Sequence, residues 1–182
     1  DFCLSRGLGD VYKRQAWDYM KQFTAKIPHT KFNETELRVD LPNGSRITLL
    51  GSESPDGLRG IYLDGCVIDE YANVNSKLFP EIIRPALSDR KGYCVFIGTP
   101  MGMNNNFYEL YQHAQSAEDW FNYKAKASDT KIVDQDELDK AKEVMGKKKY
   151  QQEFECDWIA NIEGSVYGDV IAKLDDDKQL TR

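Results

Sequence analysis

Two adjacent acids, Asp69 and Glu70, close the apolar run Cys66-Val67-Ile68 and mark the first place in this chain where chemistry could be done. An apolar strand that ends this way delivers two carboxylates to the rim of a sheet. In nucleotide hydrolysis one carboxylate can hold Mg2+, which prefers a few hard oxygen ligands and keeps much of its water. Its neighbour can orient or deprotonate the attacking water. Asp69 is assigned to the metal and Glu70 to the water; the alternative is a strand that simply ends at solvent. A second apolar run, Tyr93 to Ile97, is stopped by Gly98-Thr99-Pro100, which places the Thr99 hydroxyl at a sheet rim. There Gly98 permits close backbone approach and Pro100 halts the strand. Arg59, in Leu58-Arg59-Gly60, precedes the acidic strand. A guanidinium so placed can stabilise charge developing on a transferring phosphoryl group; the alternative is a surface arginine beside a turn glycine.

These side chains need elements to hold them. Trp17, Tyr19, Met20 and Phe23 fit a short amphipathic helix that stops before Pro28. Glu36 to Asp40 and Arg46 to Leu49 alternate on either side of Pro42-Asn43-Gly44, a strong hairpin pattern. Residues 66–68 and 93–97 read as strands buried on both faces. Between them, Ser76 to Ser88 reads as a helix interrupted or kinked near Pro85. Phe107, Leu110, Tyr111 and Ala114 share a helical face, and Trp120 to Ala127 alternates as a further strand. Asp134-x-x-Glu137 opens a helix in the manner of a capping box, and Lys147 to Cys156 reads as another helix. Strand, helix, strand, helix is the rhythm of a parallel α/β sheet, whose chemistry gathers at the carboxyl ends of its strands.

In this order and at this spacing the motifs resemble the ATPase domain of phage terminase large subunits. The resemblance is carried by Glu36-Leu-Arg-Val-Asp with Pro42-Asn-Gly, Ser54-Pro-Asp-Gly-Leu-Arg-Gly, Val67-Ile-Asp-Glu-Tyr-Ala, Ile83-Arg-Pro-Ala-Leu, Phe96-Ile-Gly-Thr-Pro, Phe107-Tyr-Glu-Leu-Tyr and Tyr150-Gln-Gln-Glu-Phe-Glu-Cys. It runs from Ala16 to about Tyr167. It implies an α/β fold, a partial P-loop NTPase core of the ASCE type with a parallel sheet flanked by helices, plus a β-hairpin. It implies that Asp69 and Glu70 are the Walker B aspartate and catalytic glutamate, with ATP and Mg2+ as cofactors. Thr99 falls in the family's coupling motif, and Arg59 matches a loop arginine that acts on a neighbouring subunit's ATP. Double-stranded viral DNA, the portal protein, a small terminase subunit and sister copies in a ring are the implied partners. The implied setting is the host cytoplasm, docked transiently at the procapsid portal.

The sequence departs from that family in three places. No G-x-x-x-x-G-K-[ST] loop occurs, so residues 1–182 by themselves are expected to hydrolyse no ATP. The family's nuclease domain is not expected within residues 1–182, and Asp175-Asp176-Asp177 reads as a solvated run in a polar tail. Residues 1–15, ending in Val11-Tyr-Lys-Arg-Gln15, read as a non-native segment, residues 16–163 as the C-terminal part of the ATPase domain and 164–182 as a linker. In the sheet order typical of this class the Gly-Thr-Pro strand lies between the Walker A and Walker B strands. Tyr93 to Ile97 is therefore expected to form an apolar edge, which invites aggregation.

Composition narrows the alternatives. Lys and Arg number 24 against 30 Asp and Glu, and the resulting charge of −6 argues against a domain that binds nucleic acid over its whole surface. A local basic patch remains open; Lys147-Lys148-Lys149 is one, read first as a solvated helix face. No apolar run approaches the roughly 20 residues of a membrane helix, and no signal-peptide pattern is visible. Cys3, Cys66, Cys94 and Cys156 form no C-x-x-C pair, and with only His29 and His113 beside them a zinc site is not expected. This cysteine usage reads as a reducing, cytoplasmic environment. Two other classes stay in play: a helicase-like ATPase of related fold, and a non-catalytic α/β interaction module in which Asp69-Glu70 is a mere strand end. The discriminating observation is whether the Asp69 and Thr99 strands are parallel neighbours ending on one rim.

Overall fold

The computed structural model describes residues 2–6, 10–52 and 58–159. The chain divides into two compact units, residues 1–98 and 99–182. In the first, strands β1 (Phe2–Arg6), β2 (Lys31–Asn33), β3 (Arg38–Asp40), β4 (Arg46–Gly51), β5 (Gly65–Asp69) and β6 (Tyr93–Phe96) form one sheet in the order β2-β3-β4-β1-β5-β6. β1 runs parallel to both β4 and β5, and β6 runs parallel to β5. The hairpin extends this sheet through antiparallel pairs β3–β4 and β2–β3. Its turn follows the Asn-Gly reading: Leu41 N–H donates to Ser45 O at 2.8 Å, and Gly44 takes a φ of 84° that suits glycine. Residues 2–6, within the segment read as non-native, form the strand between β4 and β5.

Helix α1 (Asp10–Thr24) buries Trp17 and Met20 against Val39 and Leu49 of the hairpin. The Trp17 Nε1–H donates to Glu34 at 2.6 Å. That bond, with Lys21 beside it, holds the Glu34 carboxyl below the usual carboxylate range. After β5 the chain makes a 3-10 turn (Tyr71–Asn73), then a π-helix (Leu78–Ile83) that continues as helix α2 (Arg84–Ser88). The interruption expected near Pro85 is thus a change from π to α winding one residue before that proline, which sits in the first turn of α2. Ile68, Leu78 and Ile83 are fully buried.

The turn into β6 is tight. A Cβ built on Gly92 would lie 2.8 Å from Asp64 O, 3.0 Å from Leu63 O and 2.7 Å from Leu87 Cδ2. Two of these are backbone atoms that cannot swing away. Gly92→Ala is therefore expected to destabilise the chain by roughly 1–3 kcal/mol, as overpacking does. A thermal melt indistinguishable from that of the parent would overturn this.

The second unit holds α3 (Asn106–Ala114), α4 (Ala127–Thr130), α5 (Gln135–Met145) and α6 (Lys147–Glu155). Asn105 caps α3, accepting from Phe107 and Tyr108 N–H at 3.0 Å. Asp134 caps α5 as its sequence predicts, accepting from Asp136 N–H at 3.0 Å. Ala127, Leu138 and Tyr150 form one small core, and the Trp158 ring lies against Phe107, Tyr108 and Tyr111. The strand expected at Trp120 to Ala127 is not formed. Residues 121–126 carry no ladder pairing among the described residues, and Ala127 opens α4. Alternation of side chains sets a face but does not supply the neighbouring strand that a ladder needs. Lys147, Lys148 and Lys149 are exposed, and Lys149 pairs with Glu153 at 2.7 Å along α6, the solvated face expected of them. Asp175 to Asp177 and the linker read at 164–182 lie outside the described residues. Among the described residues no helix is long and apolar enough to cross a membrane.

Candidate functional site

β5 carries the acidic pair because its interior is apolar and its end is not. Cys66 and Ile68 are buried, while Asp69 and Glu70 are only partly covered at the carboxyl end. Ile68 pairs with Phe96 in parallel register, and the Ile97 N–H donates to Ile68 O at 2.9 Å. The strands bearing Asp69 and the Gly98-Thr99-Pro100 turn are therefore parallel neighbours, and their carboxyl ends share one rim.

The backbone bends sharply directly after Asp69. Glu70 has φ 53° and ψ 42°, left-handed values for a residue with a Cβ. Such a conformation costs roughly 1–3 kcal/mol and persists where neighbours over-determine it. Here Asp69 Oδ1 accepts the Glu70 N–H at 3.0 Å, and the Tyr71 N–H crosses to Ile97 O at 3.0 Å. Asn73 N–H donates to Glu70 O at 2.8 Å, closing the 3-10 turn. The Tyr71 ring is buried, edge-on to Phe96 with centroids 4.7 Å apart, and Phe96 meets Phe79 of the π-helix at 4.7 Å.

The remaining candidates are placed as follows. Arg59 is exposed beside Gly60 and pairs with Glu81 of the π-helix at 3.7 Å. Thr99 is partly buried and is the first residue of the second unit, Gly98 being the last of the first. His29 is exposed in a turn, and His113 packs edge-on against Trp120. No group of three or more His, Cys, Asp and Glu that could hold a metal exists among the described residues. Sequence reasoning missed Glu81, since nothing in its spacing from Arg59 marks it. It also missed Tyr71, whose aromatic type directly after two acids was the available signal.

Comparison with known proteins bears on what such a rim belongs to. Residues 1–169 match the family model for the N-terminal part of terminase large subunits of the T4-like virus type. The chain belongs to the terminase large subunit family. It is 27% identical over 152 residues to the terminase large subunit of Escherichia phage T5, covering 81% of this chain and 34% of that protein. Over 60 residues it is 42% identical to the terminase large subunit of Thermus phage G20c, covering 33% of this chain and 12% of that protein. The chain thus spans about a third of the length of the T5 relative. Among solved structures, the large terminase ATPase domain of Thermus phage P74-26 superposes with a TM-score of 0.65 at 19% identity, over 86% of this chain and 75% of that one. The large terminase of a thermophilic bacteriophage, solved in complex with ADP, gives 0.70 at 15% identity over 86% of this chain and 40% of that one. The expected fold class holds: a terminase ATPase-type α/β core, a P-loop NTPase fold, with parallel strands, flanking helices and the hairpin.

Proposed function

We propose that this terminase chain supplies the Walker B and coupling elements of the ATPase motor that packages viral DNA. The observation that carries the reading is the parallel pairing of β5 with β6, which sets Asp69 and Glu70 on the rim where the Gly98-Thr99-Pro100 turn begins. Ligands of open α/β sheets bind outside the carboxyl ends of such strands. Bound Mg2+–ATP would supply the phosphorus that water attacks. Asp69 would hold the metal through its carboxylate, and Glu70 would orient the water and accept its proton. Thr99 would belong to the coupling motif that links hydrolysis to domain movement. Arg59 would act as a finger on a neighbouring subunit's ATP, exchanging Glu81 for phosphate.

In this reading residues 16–163 are the C-terminal part of an ATPase domain and 164–182 lead toward a nuclease domain. Residues 1–15 are non-native. A Walker A loop outside residues 1–182 completes the site, so these residues alone turn over no ATP. The whole motor works in the host cytoplasm as a homo-oligomeric ring, docked at the portal, on double-stranded viral DNA delivered with a small terminase subunit.

The test is the metal dependence of ATP turnover by the intact large subunit carrying this stretch. Asp69→Asn is expected to raise the Mg2+ concentration for half-maximal turnover by about tenfold or more, since losing even an outer partner of a metal ligand costs about 10–100-fold in affinity. An unchanged Mg2+ dependence would remove Asp69 from the metal site.

A further inference from the structure

Glu70 has a positive φ, and its setting differs from that of the left-handed residues that cap helices. Lys131 and Cys156 end helices, where that conformation is ordinary. Glu70 instead follows a buried strand without a spacer. Its φ and ψ are the angles between two peptide planes, and both planes are tethered. The plane before it is tied by the Glu70 N–H to Asp69 Oδ1, 3.0 Å. The plane after it is tied by the Tyr71 N–H to Ile97 O, 3.0 Å. Ile97 is itself fixed to Ile68 O, so the second tether is anchored to β5 as well. The Tyr71 ring, 3% exposed, is wedged edge-on against Phe96, and Phe96 is backed by Phe79. With both planes fixed, the direction of the Glu70 Cα–Cβ bond is set before any substrate arrives.

We propose that Tyr71 is a positioning residue: its buried ring locks the turn that keeps Glu70 left-handed and thereby aims the Glu70 carboxylate. The inference rests on the reading of Glu70 as the group that orients water. It assigns Asp69 a second task, as acceptor for the Glu70 N–H. Without the ring, the Tyr71 amide is free to leave Ile97, and Glu70 relaxes to the right-handed or extended region that a residue with a Cβ prefers. The carboxylate then departs from its productive position while the nucleotide contacts made elsewhere survive.

The experiment pairs ATP turnover by the intact large subunit with amide hydrogen exchange at Glu70 and Tyr71. Tyr71→Ala is expected to lower kcat about 100-fold, the scale of a small misplacement of a reacting group, with KM for ATP little changed and exchange at both amides faster. Tyr71→Phe keeps the ring and is expected to restore kcat and slow exchange. Should Tyr71→Ala fail to fold, Phe96→Leu fills the space while removing the ring-edge contact, and carries the same expectation. A folded Tyr71→Ala or Phe96→Leu protein with unchanged kcat overturns the proposal. So does a Tyr71→Phe protein as impaired as Tyr71→Ala. Glu70→Gln separates the two levels. If it leaves turnover intact, the assignment of Glu70 fails; if it abolishes turnover while Tyr71→Ala does not reduce it, only the positioning role fails.

Discussion

Glu70→Gln is expected to cut magnesium-dependent ATP turnover by the intact large subunit about 10²–10⁴-fold, the usual contribution of a positioned general base. The carboxamide keeps the shape of the side chain, and the backbone at Glu70 is tied by its N–H to Asp69 Oδ1 and by the Tyr71 N–H to Ile97 O. The folded turn therefore survives, and what disappears is an acceptor basic enough to take a proton from water. KM for ATP should change little, because the contacts that bind nucleotide are made equally in ground and transition states. Single-turnover kinetics with saturating nucleotide would measure the loss directly. If the variant hydrolyses ATP at the parent rate, Glu70 is a strand-end acid exposed to solvent and the non-catalytic module regains its standing.

Ile68→Ala is expected to destabilise the chain by about 2–5 kcal/mol, the range for truncating a fully buried aliphatic side chain. Ile68 is 0% exposed, and it sits one residue before the metal-binding candidate in the strand that aligns the rim. Its loss should leave a cavity in the packed interior on that face of β5. Val95→Ala is the matched control: Val95 is 41% exposed on the neighbouring strand and should cost no more than about 1 kcal/mol. Urea denaturation of both variants measures the contrast. Equal losses for the two would mean that β5 is not the centre of the core.

The contrast also explains the edge expected at Tyr93 to Ile97. β6 is the last strand in the sheet order, and Tyr93, Val95 and Ile97 are 59%, 41% and 50% exposed while Phe96 packs inward. The strand itself was legible in the sequence as an apolar run and was read as buried, whereas its residues alternate between exposed and half-buried. That only one face of the run is covered could not be read from it, because an apolar run looks the same whether one or both faces are packed.

The acidic strand end was legible because apolar residues followed by two carboxylates change polarity within one strand length. The hairpin was legible because Asn-Gly satisfies a turn locally. The Asp134 cap and the α3 face followed from spacing of the same short range. What the sequence by itself determined is thus the set of local elements and the residue types at their ends. Only the tertiary structure decided that residues 2–6 enter the sheet between β4 and β5, that 121–126 stay unpaired among the described residues, that Glu81 meets Arg59, and that Glu70 turns left-handed. Each depends on a partner distant along the chain, as the Tyr71 amide depends on Ile97, and periodicity carries no information about which distant carbonyl will be within reach.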